Sequence, residues 1–240
     1  PGRTGAALLA ARGAHRGGAG LVTIASRAAA SLDLRVVETM TVALADDAFA
    51  VAPSLMPALE SSDAVAVGPW LGLDEHAAAA LDATLRHARG PVVVDADGLT
   101  LLARVRASPG RSPRVLTPHP LELARLLGHD AAAGSAHVQT DRIGAAREAA
   151  RRFDAVVVLK GAGTVVARPD GRCAVMPYAD PALGVAGSGD VLAGLLAARL
   201  AEESRRGGDL DEAVLSAVHA HALAGRRAAD ALGADGRGLL

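Results

Sequence analysis

The chain has 240 residues, half of them hydrophobic, with 25 basic against 26 acidic side chains and a formal net charge of −1. That length and apolar fraction suit one substantial core, and the near-neutral balance gives no field to draw in nucleic acid or an anionic membrane. No apolar run reaches the ~18 residues of a membrane span, no basic-then-apolar signal pattern is read near the start, and the single cysteine, Cys173, forms no intrachain disulfide, as in a cytoplasmic chain with a small-molecule partner.

Taken in chain order, apolar residues at three- and four-residue spacing predict a helix over 5–16, and an apolar run predicts a strand over 21–25. Further strands are expected over 64–67, 91–95, 114–117 and 155–159, with helices over 76–88, 121–127 and 140–152. Residues 164–167 and 173–176 read as a hairpin, because Arg168-Pro169-Asp170-Gly171-Arg172 between them is strong turn chemistry. Helices over 190–201 and 210–232 complete the series. Strands alternating with helices imply βαβ units, hence an α/β fold with a parallel sheet, in one domain over 1–240.

The residues that follow the strands carry the chemistry. Strand 64–67 runs into Gly68-Pro69-Trp70-Leu71-Gly72, strand 91–95 into Asp95-Ala96-Asp97-Gly98, strand 114–117 into Pro118-His119-Pro120-Leu121-Glu122, and strand 155–159 into Lys160-Gly161-Ala162-Gly163-Thr164. Ligand crevices of open parallel sheets lie outside the carboxyl ends of the strands, so these segments are expected to share one rim. Each also has a plain alternative: Asp95 or Asp97 as helix caps, Gly68 and Gly72 as turn residues, His119 as part of a stiff exposed loop.

A fifth segment, Gly184-Val185-Ala186-Gly187-Ser188-Gly189-Asp190, leads into a helix. Backbone N–H groups at glycines and at a helix N-terminus suit a phosphate. Asp190 either caps that helix or takes a proton from a hydroxyl whose oxygen attacks a phosphoryl group held by the Gly187–Gly189 amides. The segment is neither a P-loop, lacking the Lys-Ser/Thr pair, nor a dinucleotide fingerprint, since Gly187 and Gly189 are followed only by Gly194. No Gly-x-Ser-x-Gly elbow occurs. Lys160 is the only lysine among 25 basic residues: either a chance survivor in a chain whose surface lysines have become arginines, or a tight site that suits a compact ammonium and not a wide guanidinium. Zinc spacing is missing, since His219 and His221 are two apart on a helix and face different sides. A hard cation such as Mg²⁺ would be held through water by Asp95, Asp97 or Glu122.

The ordered blocks Gly5-Ala6-Ala7-Leu8-Leu9, Gly18-Ala19-Gly20-Leu21-Val22, Val67-Gly68-Pro69 with Leu71-Gly72, Val94-Asp95-Ala96-Asp97-Gly98, Leu116-Thr117-Pro118-His119-Pro120 with Glu122, Leu159-Lys160-Gly161 and Gly187-Ser188-Gly189-Asp190-Val191-Leu192 closely resemble the ADP-dependent NAD(P)H-hydrate dehydratases of the ribokinase-like superfamily. The resemblance implies a three-layer fold with a mostly parallel central sheet and helices on both faces. It implies dehydration of the S epimer of hydrated NADH or NADPH, by phosphorylation of the ring hydroxyl from ADP or ATP and departure of phosphate. By position, Ala6, Gly68, Gly72, His119 and Asp190 would contact the hydrated cofactor, with Asp190 as base. Lys160, Gly161, Ala162, Gly163, Thr164, Gly187, Ser188 and Gly189 would hold the adenine nucleotide.

Trp70 stands where the family usually has the middle glycine of its Gly-Pro-Gly-Leu-Gly block. The family comparison further implies a strand and glycine-rich turn before Pro1, a longer C-terminus, lower stability of this span than of the intact domain, tetrameric assembly, and in some members fusion to an epimerase domain. Two other readings stay open: a small-molecule kinase of the same superfamily, and a nucleotide-binding scaffold without turnover.

Overall fold

The computed structural model describes residues 4–104, 112–177 and 183–232. Helix α1 (Gly5–Arg16) leads to β1 (Thr23–Ser26), α2 (Ala29–Asp33), β2 (Met40–Ala43) and α3 (Ala48–Ser61). There follow β3 (Val65–Val67), α4 (Glu75–His87), β4 (Val92–Val94), α5 (Asp97–Arg104), β5 (Arg114–Leu116), α6 (Pro120–Leu127), α7 (Ala131–Thr140) and α8 (Arg142–Phe153). Strands β6 (Val156–Leu159), β7 (Val165–Ala167) and β8 (Cys173–Val175) precede α9 (Ser188–Arg206) and α10 (Leu210–Leu232).

Strands β3 to β8 form a six-stranded sheet in chain order; β3 to β6 are parallel, and β7 and β8 are antiparallel additions at its edge. Valines fill the inner strands because both faces are covered. In β4, Val92 and Val94 face one side with Leu116 of β5, Val157 of β6 and Val165 of β7, against Leu81, Leu99, Leu123 and Ala146 of α4, α5, α6 and α8. Val93, Val115, Val158 and Val166 face the other side, against Leu192 and Leu196 of α9 and Val214 and Val218 of α10. This period-two alternation makes three layers, helix, sheet and helix.

Strand β1 lies apart from the expected arrangement: it pairs in parallel with β2, Thr23 opposite Met40, and does not join the six-stranded sheet. A slot of about 720 Å³ lies between the two sheets, lined by Val22, Ile24, Leu55, Ala66, Gly68 and Gly194 among others. Helix α1 packs on α9 at very close range, since a Cβ at Gly13 would overlap the Val191 carbonyl and one at Gly194 the Ala10 carbonyl. No helix among the described residues is long and apolar enough to cross a membrane.

Candidate active site

The parallel strands end on one edge, and the side chains there are drawn together. Asp95, directly after β4, is 2% exposed and accepts a hydrogen bond from Lys160 Nζ at 2.6 Å, reaching across from the end of β6. A buried carboxylate is tolerable only with such a partner. The Lys160 backbone N–H donates to the Pro118 carbonyl at 2.9 Å, and the Thr117 N–H to the Val94 carbonyl at 3.1 Å, so the segments after β4, β5 and β6 are tied edge to edge.

Helix α9 delivers its N-terminus to the same place. Gly187, at φ +90, is the N-cap residue, so Asp190 is not the cap but the third residue of the first turn. A side chain at Gly187 would be strained in that conformation and would run into Leu9 of α1, the helix that carries buried Ala6. A Cβ at Gly189 would lie 3.3 Å from Lys160 Nζ and 3.9 Å from Asp95 Oδ2. The Asp190 carboxyl is pushed above its ordinary range, first by burial and then by the Asp95 charge, with Lys160 opposing both. That is the environment of a base whose proton affinity is raised while a cation stands close by.

His119 caps α6: its Nδ1 accepts from the Glu122 N–H at 3.3 Å, while Glu122 Oε2 accepts from the His119 N–H at 2.8 Å. This capping box accounts for the His-Pro-x-Glu spacing. Nδ1 as acceptor places the hydrogen of the neutral ring on Nε2, and burial holds the imidazole pKa below its ordinary value despite Glu122. Gly68, at φ +124, lies so close to the end of β4 that a Cβ would overlap the Asp95 carbonyl. The loop after it is closed by Asp97, whose Oδ2 accepts from the Gly72 N–H at 2.9 Å.

Of the three carboxylates considered for a cation, Asp95 is engaged by Lys160, Asp97 by Gly72 and Glu122 by His119. Among the described residues no group of three histidine, cysteine or carboxylate side chains is placed to hold a metal ion. Dispersed, hydrogen-bonded carboxylates such as these fit an ion held through water and ligand phosphates rather than one caged by the protein.

Two residues that sequence reasoning passed over stand behind the site. Arg142, the first residue of α8, donates from Nη2 to the carbonyls of Leu159, Lys160 and Gly163 at 3.2, 3.3 and 3.4 Å. Its guanidinium thereby fills the inside of the 160–164 turn. His221 of α10 bonds through Nε2 to the Ser188 carbonyl at 3.0 Å. Asp141-Arg142 before an alanine-rich helix and the histidine of His221-Ala222-Leu223-Ala224-Gly225 were visible in the sequence, but nothing local says where either side chain is aimed.

A three-layer α/β fold with a glycine-started helix, a buried lysine–carboxylate pair and a carboxylate at the strand ends defines a protein of the ribokinase-like class. Residues 2–237 match the family described as NAD(P)H-hydrate dehydratase, and the chain belongs to that family. It is 36% identical over 238 residues to the ADP-dependent (S)-NAD(P)H-hydrate dehydratase of Xanthomonas campestris pv. campestris, covering 97% of this chain and 78% of that one. It is 45% identical over 229 residues to the bifunctional NAD(P)H-hydrate repair enzyme Nnr of Gloeobacter violaceus, covering 92% of this chain and 42% of the relative. It spans less than half the length of that and the other bifunctional relatives it matches. Among solved structures, an ADP/ATP-dependent NAD(P)H-hydrate dehydratase of Bacillus subtilis, co-crystallised with ATP/Mg2+, superposes with a TM-score of 0.78 at 32% identity, over 99% of this chain and 82% of that one.

Proposed function

We propose that the chain carries the nucleotide-dependent dehydration of hydrated NADH or NADPH, returning the reduced dinucleotide. The observation that carries this reading is the meeting of Asp190, the Lys160–Asp95 pair and the N-terminus of α9 at one point of the strand-end rim. In it, Asp190 takes the proton of the hydroxyl on the hydrated ring, and the hydroxyl oxygen attacks the terminal phosphorus of ADP or ATP. The bond from that phosphorus to the bridging oxygen breaks, leaving AMP or ADP. The C–O bond of the phosphorylated ring then breaks with release of inorganic phosphate, and loss of a proton from the neighbouring carbon restores the double bond.

The protein's part is to position and neutralise. Lys160 and the amides of Gly187, Ser188 and Gly189 face the transferred phosphoryl group, the 160–164 turn holds the nucleotide, and Gly68, Gly72, His119 and Ala6 border the hydrated ring. Neutral His119 keeps its Nε2–H beside Glu122 Oε1, at 3.4 Å, and borders the ring without adding charge. A divalent cation would arrive with the nucleotide phosphates, and no step above depends on one. The four-subunit assembly and linkage to an epimerase unit belong to the same reading, and light scattering of the native protein tests the first.

The test is absorbance in the reduced-nicotinamide band after mixing hydrated NADPH with the protein, Mg²⁺ and ADP or ATP in turn. Recovery of the band with one nucleotide supports the reading and identifies the donor. A stable phosphorylated product without recovery establishes a kinase instead, and bound but unaltered nucleotide a scaffold.

A further inference from the structure

We infer that His221 is a positioning residue that aims the Gly189 N–H at the phosphoryl group by holding the other end of the same peptide unit. The inference rests on the nucleotide reading of the α9 terminus given above. The Ser188 carbonyl and the Gly189 N–H belong to one planar peptide and point in opposite directions. Fixing the carbonyl therefore fixes the N–H.

Three observations meet at this peptide. Ser188 opens α9, so the Gly189 N–H has no carbonyl one turn earlier in the helix and is a donor for an external acceptor. Gly189 adjoins Lys160 and Asp95, so that donor is beside the cation of the site. The carbonyl end is held from a separate element, His221 lying 33 residues further on at 3.0 Å, while the Ser188 hydroxyl donates to the Leu183 carbonyl at 2.6 Å. A carbonyl that accepts a hydrogen bond polarises its amide and strengthens the donor at the far end.

The imidazole suits this task. It is partly buried, and burial together with the Lys160 charge lowers its pKa, although the Ser188 carbonyl opposes them, so the ring is neutral with its hydrogen on Nε2. A neutral donor orients the peptide without a second positive charge behind the site.

Ser188-Gly189 is the only Ser-Gly step in the sequence, so labelling serine with a 13C carbonyl and glycine with 15N yields one resonance from this peptide bond. The test compares the parent, His221→Leu and His221→Gln, whose amide nitrogen takes the place of Nε2, by this resonance, by ADP titration and by turnover. In the parent, ADP is expected to move the Gly189 amide. His221→Leu is expected to shift the Ser188 carbonyl upfield and to lower kcat about tenfold, a fraction of the ~10²–10³ lost with an oxyanion donor outright, while the KM for ADP changes less. His221→Gln is expected to recover most of both effects. The inference is overturned if the carbonyl does not move in His221→Leu, if ADP leaves the parent amide unmoved, or if Gln is as deficient as Leu, which would make His221 a packing residue. Should the parent fail to convert hydrated NADPH, the dehydratase reading fails while the resonance and the ADP titration still decide the role of His221.

Discussion

Lys160 Nζ lies 2.6 Å from Asp95 Oδ1 across the end of β5, and the backbone of Gly189 closes in over the pair. A single compact cation is thus shared between a buried carboxylate and the place where phosphate would sit. This gives a physical reason for the one lysine in a chain otherwise supplied with arginine. Lys160→Arg keeps the charge but inserts a planar fork where the neighbouring backbone leaves little room. It is expected to fold with a nearly unchanged midpoint and to raise the KM for nucleotide by about tenfold, roughly 1.4 kcal/mol. Lys160→Met removes the partner of a buried charge and is expected to cost about 3 kcal/mol in urea unfolding, near the low end for such pairs. Adding Asp95→Asn should return most of that loss; no recovery in the double variant would show that the pair is not what stabilises Asp95.

Asp190 has the opposite balance, since burial and Asp95 raise its proton affinity more than Lys160 lowers it. A carboxyl whose folded pKa lies above its unfolded value contributes stability below the unfolded value, near 3.8, and loses it as pH rises through the folded one. At neutral pH the ionised group therefore opposes folding. Asp190→Asn is expected to abolish turnover and leave ADP binding intact, while raising the thermal midpoint at pH 7 by an amount that shrinks as pH falls toward the ordinary carboxyl range. The acid limb of the kcat profile should lie above that range as well. A midpoint lowered by Asp190→Asn at pH 7 would contradict the sign.

Arg142 links α8 to the turn after β6 through three carbonyls accepting from one nitrogen. Hydrogen bonds to a charged group contribute about 1.5–3 kcal/mol each when one partner is lost from a buried place, and sharing one nitrogen reduces that. Arg142→Gln is expected to weaken ADP binding about tenfold by calorimetry while kcat at saturating nucleotide falls less than threefold. Arg142→Lys should recover only part of this, because the lysine chain ends one atom short of the Nη2 position from which the three carbonyls are reached. A fall in kcat with unchanged affinity would place Arg142 with the chemistry and not with the turn.

The parts of this fold that sequence disclosed are those with strong periodicity. Helix α1 over Gly5–Arg16 and α10 over Leu210–Leu232 have the expected bounds, and β4 to β8 and the turn between β7 and β8 fall where valine runs and Pro-Asp-Gly chemistry place them. Helix α3 was hidden by Pro53 and Pro57, which read as breakers although the helix accommodates both. Strand β2 is half exposed and short, α2 has only five residues and α7 is alanine-rich with no apolar face, while α5 has a clear apolar face of Leu99, Leu101 and Leu102 but follows directly on the strand-end acids, which read as a loop. At the site, strand-end position alone brought Asp95, His119 and Lys160 together, since parallel connectivity puts such residues on one edge. It could not assign Asp97 to the Gly72 amide, or Arg142 and His221 to backbone carbonyls, because those partners are set by how helices dock; the Glu122 partner of His119, by contrast, is a local three-residue capping spacing that the sequence carries, although Glu122 reads there only as a cation candidate.

Trp70 is a bulky residue in the left-handed region, φ +52, and its side chain is 51% exposed within the loop between Gly68 and Gly72. A left-handed conformation costs a residue with a side chain about 1–2 kcal/mol, and glycine would relieve it while losing a similar amount through the freedom of its unfolded chain. The two backbone terms nearly cancel, so Trp70→Gly is expected to be mildly destabilising through the lost contacts of the half-covered indole. In the proposed dehydratase reading, the half-exposed indole borders the hydrated ring. An aromatic face beside a planar ligand contributes about 1–3 kcal/mol by stacking, so Trp70→Gly should raise the KM for hydrated NADPH about tenfold or more and leave the KM for nucleotide unchanged. Trp70→Phe, which keeps an aromatic face, should fall between the two. A KM for hydrated NADPH that instead drops in Trp70→Gly would mean that the indole narrows the entrance and that the smaller residue admits the dinucleotide more readily.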